Sequence, residues 1–169
     1  LEMLAKWREG YEVVYAVREK RKEGPILRAS FYVFYRLLQR IWRVFVDEDS
    51  GTLRIDDAAE PSDETQRVLH RTIAAIHDGM QTLRFNTSIA RITELTNHLT
   101  STYPEGGTPR PVASSLCLLL APLAPHQAEE LWSRMGHPAS LAREPFPVAD
   151  ERWLVDDTVE VPVQVNGKV

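Results

Sequence analysis

The sequence predicts a mainly α-helical bundle with short β segments towards its two ends. Two observations carry that expectation. Apolar residues recur at steps of three and four through several long stretches, and strand-like patterning is confined to residues 12–17 and 159–165. A third observation is bulk composition: 169 residues, 43% apolar and 26% charged, suit one packed domain or a domain with an appendage, with no need for disulfides or metals.

Residues 1–9 read as a short helix closed by Gly10, followed by the β-branched and aromatic strand EVVYAV at 12–17 and the basic loop REKRKEGP. Over residues 26–46, Phe31, Phe34, Leu38, Ile41 and Phe45 mark a helix with one buried face. Ser50, Gly51 and Pro61 punctuate a linker containing the brief TLRI, and Ser62 or Asp63 can cap the next helix, whose apolar positions are Leu69, Ile73, Ile76 and Met80. The pattern changes phase around 83–86, and Asn86 reads as a second cap ahead of Ile89, Ile92, Leu95 and Leu99, so two helices should meet at a bend. After the loop TYPEGGTPRP, Pro111 suits the first turn of a nearly all-apolar helix. Pro122 and Pro125 should break that helix near Leu123, with Pro125 opening a last one that Gly136 stops. Finally Val159, Val161, Val163 and Val165 alternate into Asn166-Gly167, a strong hairpin signal. The sequence stops two residues later, so the expectation is a truncated hairpin, or pairing of its strand with residues 12–17; an exposed edge would favour a homodimer.

Charge narrows the classes of partner. The net charge of −4 argues against indiscriminate nucleic-acid binding, yet residues 18–46 hold eight bases against two acids, a local balance of +6. No run approaches the roughly 18 apolar residues of a membrane span, and the start lacks the order of a signal peptide, which makes the cytoplasm the expected compartment and a membrane partner unexpected. Cys117, the single cysteine, lies in LCLLLAPLA and reads as a buried, inert thiol.

Four ordered segments carry a resemblance: RFNTSIARITELTNHL (84–99), LAPLAPHQAEELWSRMG (120–136), EPFPVAD (144–150) and VQVNGKV (163–169). Together with LQRIWRVFVDEDSG (38–51) and LHRTIAAIHD (69–78) they resemble leucyl-tRNA synthetase. The resemblance implies a helical bundle of the class I synthetase anticodon-binding type over residues 38–150, with 151–169 beginning a truncated β appendage. It also implies weak binding of leucine tRNA by a chain that is not itself an enzyme, because the family's two ATP-handling signatures are missing. Residues 1–37 depart from that family and are similar to a segment of family 2 polyprenyl-phosphate glycosyltransferases, which implies a chimera joined near FYRLLQRIWR. In that reading one apolar stripe runs through the junction, as a foldable fusion requires.

For chemistry, the candidates are Arg36, Arg40 and Arg43, at i, i+4 and i+7, which share a helix face expected opposite much of the apolar stripe. A row of guanidiniums suits phosphate oxygens, with steep salt dependence, although a solvated basic face is the bland alternative for any one of them. The bases at 18–22 could extend the patch but equally suit a solvated loop. Asp47-Glu48-Asp49 imitates a metal-binding acidic motif without the strand that would aim both carboxylates at one ion. His70 with His77, and His126 with Glu129 and Glu130, lack a third well-placed ligand, so no metal is expected. Asn86-Thr87-Ser88 is a formal glycosylation acceptor at an expected helix start and is discounted. No nucleophile-base motif and no Gly-rich phosphate loop occurs, so neither catalytic residues nor cofactors are assigned. Trp42, Trp132 and Phe85 are expected in the core, and Trp153 outside it. Two other classes compete: a chimeric structural or interaction module with no ligand, and a piece of a larger ligase or glycosyltransferase.

Overall fold

The computed structural model describes residues 25–155, with side chains from residue 32 onward. The strand expected at 12–17, the basic loop at 18–22, and the hairpin expected from 159 to 167 lie outside the described residues. The chain divides into two compact units, Leu1–Tyr35 and Arg36–Val169. The described part of the first is the opening of helix α1 (Pro25–Phe45), on which Tyr32, Val33 and Tyr35 are exposed.

The remaining described elements belong to the second unit and are mainly helical, as the periodicity predicts. In order they are the rest of α1, strand β1 (Ile55–Asp56), helices α2 (Asp63–Gln81) and α3 (Phe85–Thr102), strand β2 (Thr108–Pro109), and helices α4 (Arg110–Leu120) and α5 (Pro125–Arg134). Two single 3-10 turns, Leu141–Arg143 and Glu151–Trp153, follow. The buried stripe of α1 is Leu37, Ile41, Val44 and Phe45, while Leu38 and Trp42 flank it half-buried. It is therefore rotated slightly from the expected Phe34-Leu38-Ile41-Phe45 line.

Ser62 caps α2 as expected: its hydroxyl oxygen accepts the N–H of Thr65 at 3.2 Å, and Asp63 and Glu64 in the first turn complement the positive helix end. At the other end of α2 the chain reverses through Leu83, whose φ of +57° is left-handed, and the N–H of Arg84 reaches the carbonyl of Gly79 at 2.7 Å. Asn86 is not the cap. Helix α3 already includes it, beginning at Phe85, with Arg84 preceding the helix and no side chain capping it; the Thr87 N–H bonds the Arg84 carbonyl at 3.0 Å.

Helices α2 and α3 meet at the expected bend, which is sharp enough to make them an antiparallel hairpin. Thr65 near the start of α2 meets His98 near the end of α3 (Oγ1 to Nε2, 2.9 Å). Close approach at the opposite end depends on Gly79, where an added Cβ would come within 2.5 Å of the Ser88 hydroxyl. The threonines of this hairpin lie against apolar neighbours because they satisfy their own hydroxyls: Thr72 donates to the Val68 carbonyl at 2.8 Å and Thr96 to that of Ile92 at 2.7 Å.

Pro111 sits in the first turn of α4 and Pro125 in that of α5, as predicted, and Gly136 ends the last helix with φ +91°. Helix α4 is the centre of the core: Val112, Ala113, Leu116, Cys117, Leu119 and Leu120 are fully buried. The same buried cluster includes Ile41 and Phe45 of α1, Ile73 and Ile76 of α2, Ile92, Leu95 and Leu99 of α3, and Leu131 and Trp132 of α5. Burial pushes the Cys117 thiol up to about 12, in keeping with an inert side chain.

Strands β1 and β2 make a two-residue parallel ladder, Ile55 beside Thr108 and Asp56 beside Pro109. Arg110 fastens it to the bundle by bonding the Asp57 carboxylate and the Met135 carbonyl (2.8 Å). This small sheet and the turn leading into it bring Arg54 beside the C-terminal half of α1.

Candidate nucleic-acid interface

On an α-helix each residue advances about 100°, so Arg36, Arg40 and Arg43, each one position before Leu37, Ile41 and Val44, flank the buried stripe instead of opposing it. The flank matters for exposure. Arg36 and Arg43 are exposed, whereas Arg40 is half-buried beside the core. Nε of Arg43 donates to the Glu48 carboxylate at 2.9 Å across an exposed ion pair, an arrangement that contributes little to stability and yields readily to a better anion.

Arg40 and Arg43 open onto a cavity of about 210 Å³ between α1 and the C-terminal end of α3, and Arg54 is the third base on its wall. Among the described residues Val44, Leu99, Thr100, Tyr103 and Pro104 complete the lining, and none of them is an acid. Arg54 arrives there through the turn at 47–52. Asp47 holds that turn by accepting the Ser50 N–H at 2.8 Å and the Ser50 hydroxyl at 2.8 Å, bonds that keep its carboxyl below the ordinary carboxylate range. The apparent metal motif at 47–49 is thus resolved into separate tasks: Asp47 caps the turn and Glu48 pairs with Arg43. Once the turn reverses the chain, the Arg54 N–H reaches the Phe45 carbonyl at 2.8 Å.

Sequence reasoning singled out the α1 row but missed Arg54, whose nearness to that row depends on a reversal with no strong turn signature beyond Ser50-Gly51. The one available signal was another base closely following the row.

The other polar candidates have structural occupations. His70 Nδ1 accepts the Asp150 N–H at 3.0 Å and its ring stacks on Trp153, with centroids 6.5 Å apart. Glu129 binds the Ser140 hydroxyl and the Leu141 N–H (3.2 Å), and Glu130 pairs with Arg134 at 2.7 Å. Among the described residues no three or more His, Cys, Asp or Glu come together in a way that could hold a metal ion. Trp132 is buried and stacks on His137, and Trp42 is half-buried beneath the Arg134 guanidinium, 5.1 Å from its ring centre. Phe85, expected in the core, is 44% exposed because it stands at the tip of the α2–α3 reversal. Trp153 is half-buried, held by the stack on His70 and by the Arg67 and Arg152 guanidiniums, each 5.9 Å from its ring.

A larger cavity of about 780 Å³ lies between α2 and the segment 146–154. Apolar side chains such as Ile73, Met80, Phe146 and Val148 dominate it, and its charged members, Asp78 and Glu151, are acids. It is unsuited to a polyanion. The basic cavity is the better candidate.

The profile of the family described as the anticodon-binding domain of tRNA ligase matches residues 65–169. The chain belongs to that family. Leucine–tRNA ligase of Rhodococcus jostii (strain RHA1) is 60% identical over 134 residues, which is 79% of this chain and 14% of that protein. Leucine–tRNA ligase of Nocardia farcinica (strain IFM 10152) is 59% identical over 135 residues, again 14% of its length. Among solved structures, the ternary complex of Agrobacterium radiobacter K84 agnB2 LeuRS with tRNA and LeuAMS superposes with TM-score 0.53 at 31% identity, covering 85% of this chain and 18% of that one. The chain therefore spans about 14% of the length of the curated relatives it matches, and what it resembles is the anticodon-binding part of a leucine–tRNA ligase. No described helix is long and apolar enough to cross a membrane.

Proposed function

We propose that this chain is a tRNA-contacting accessory part of a cytoplasmic leucine–tRNA ligase, with Arg36, Arg40 and Arg43 meeting phosphates of leucine tRNA. The observation that carries the reading is the row of three arginines at helical spacing on α1, two of which line a cavity whose described lining holds no acid. Its support from relatives is the solved LeuRS complex with tRNA and the kinship with leucine–tRNA ligases. Electrostatic contact of this kind releases counterions, so affinity should fall steeply with salt. The test is binding of purified leucine tRNA and an unrelated tRNA at two salt concentrations, beside the variant Arg40→Ala/Arg43→Ala. Removing two phosphate contacts should weaken binding about ten-fold or more and flatten its salt dependence. If neither tRNA binds even at low salt, the reading fails, and the remaining candidate is a structural or interaction module without a retained ligand.

The finer division of the chain belongs to the same proposal: residues 1–37 a glycosyltransferase-like segment, 38–150 the anticodon-binding-like bundle, and 151–169 the start of a β appendage. The boundary between the two compact units at Tyr35 and Arg36 supports a junction in this region, as does a match to leucine–tRNA ligases that covers 79% of the chain. Comparing the protein's intact mass with that encoded by its gene tests whether the chain is a piece of a larger ligase or glycosyltransferase polypeptide. Association through an exposed edge strand would appear as a dimer in light scattering.

A further inference from the structure

Arg54 is held more firmly than an exposed arginine ordinarily is. Its N–H bonds the Phe45 carbonyl at 2.8 Å, its carbonyl accepts the N–H groups of Gly107 at 2.7 Å and Thr108 at 3.2 Å, and its Nη2 donates to the Pro104 carbonyl at 2.6 Å. The loop 103–107 therefore grips it along both backbone and side chain. Gly106 makes that grip possible: its φ is +97°, and a Cβ there would lie 3.1 Å from both Cβ and Nε of Arg54. Four of the five guanidinium N–H donors remain beyond the bond to Pro104.

This preorganised base shares its cavity with Arg40 and Arg43, which come from a different element. Three arginines from two places in the chain line one concave site, which suits a tetrahedral anion better than a flat row on one helix does. The volume of about 210 Å³ is below the roughly 300 Å³ at which pockets begin to enclose a whole drug-sized ligand. It suits a single phosphate with its sugar. The Thr100 hydroxyl already donates to the Thr96 carbonyl at 2.7 Å, so it is left as an acceptor facing a ribose hydroxyl better than a phosphate oxygen. Leu99 and Tyr103 supply the apolar floor.

We infer that the cleft between α1 and the loop 103–107 is a phosphate clamp for one backbone position of a bound RNA, with Arg54 as its fixed member, Arg40 and Arg43 as its adjustable ones, and Gly106 as the residue that positions Arg54. The inference rests on the tRNA reading for the source of the phosphate, but not for the existence of the clamp. Glu48 competes for Arg43 in the free protein, so anion binding exchanges the Arg43–Glu48 pair for a phosphate contact.

The test has two arms on the full chain. In the first, inorganic phosphate is titrated while the arginine Nε–H signals are followed by NMR; the signals of Arg40, Arg43 and Arg54 should move together with one midpoint. In the second, tRNA binding is measured against salt for the unaltered chain, Arg54→Gln and Gly106→Ala. Arg54→Gln should weaken binding about ten-fold and lower the salt slope by about one. Gly106→Ala should produce the same loss with helix content intact. Joint phosphate shifts without tRNA binding would uphold the clamp and overturn only the RNA source. An Arg54 signal indifferent to phosphate, or an Arg54→Gln chain that binds tRNA with unchanged affinity and slope, would overturn the clamp.

Discussion

At His70 one proton decides how the segment 144–154 meets α2. Its Nδ1 accepts the Asp150 N–H, which requires a neutral ring, and Trp153 stacks on its face. Burial pushes its pKa below the ordinary value of 6.5; the Asp150 carboxylate opposes that shift and Arg152 reinforces it. Arg67, from α2 itself, lies over the same Trp153 ring. With the folded pKa below the unfolded one, the unfolded chain binds the proton more readily, so the contribution to stability is fully present above about 6.5 and is lost as the pH falls from there through the folded pKa. The melting temperature should therefore drop between about pH 7.5 and pH 5.5, and His70→Gln should lose part of that drop while costing about 1 kcal/mol at the higher pH. Identical pH dependence in the two proteins would remove His70 from the account.

At the scale of elements, the α2–α3 hairpin is governed by the contact between Gly79 and Ser88. Glycine inside a helix ordinarily costs about 1 kcal/mol relative to alanine, so Gly79→Ala would stabilise an isolated helix. Here the added Cβ meets the Ser88 hydroxyl at 2.5 Å, and that hydroxyl is itself buried without a hydrogen-bond partner among the described residues. Gly79→Ala alone should destabilise the fold by about 1–2 kcal/mol, through crowding of a packed interface. Ser88→Ala should rescue it, because the clash and the unpaired hydroxyl go together; urea midpoints of both single variants and the double measure the coupling, and simple additivity would refute it. The same hairpin shows what sequence can and cannot disclose. Its two helices follow from apolar spacing, and its first cap from Ser62, since both are local. Its reversal does not, because Leu83 adopts a left-handed conformation normally given to glycine or asparagine, and Asn86 offered the more familiar cap. The basic surface divides likewise: the row on α1 is periodic and legible, whereas the addition of Arg54 requires the turn capped by Asp47, the glycines at 106 and 107, and the end of α3 to converge.

At the scale of the whole bundle, the buried cluster of the described residues takes side chains from α1, α2, α3, α4 and α5, including the fully buried face of α4. Such a core ought to open as one unit, because no helix can leave without exposing apolar surface on the others. Cys117 provides a native reporter: it is fully buried in α4, so a thiol reagent reaches it only after opening. Leu116→Ala, one residue away and also fully buried, should cost about 2–5 kcal/mol, a large part of the roughly 5–15 kcal/mol available to a domain. If opening is global and reclosing is fast relative to labelling, the same free energy must appear twice. The urea midpoint followed by circular dichroism falls, and Cys117 labels in native buffer at least about thirty-fold faster, since each 1.4 kcal/mol is a factor of ten in the open population. A lowered midpoint with unchanged labelling would mean that α4 opens locally around Cys117, and the bundle would then be less cooperative than its shared core implies.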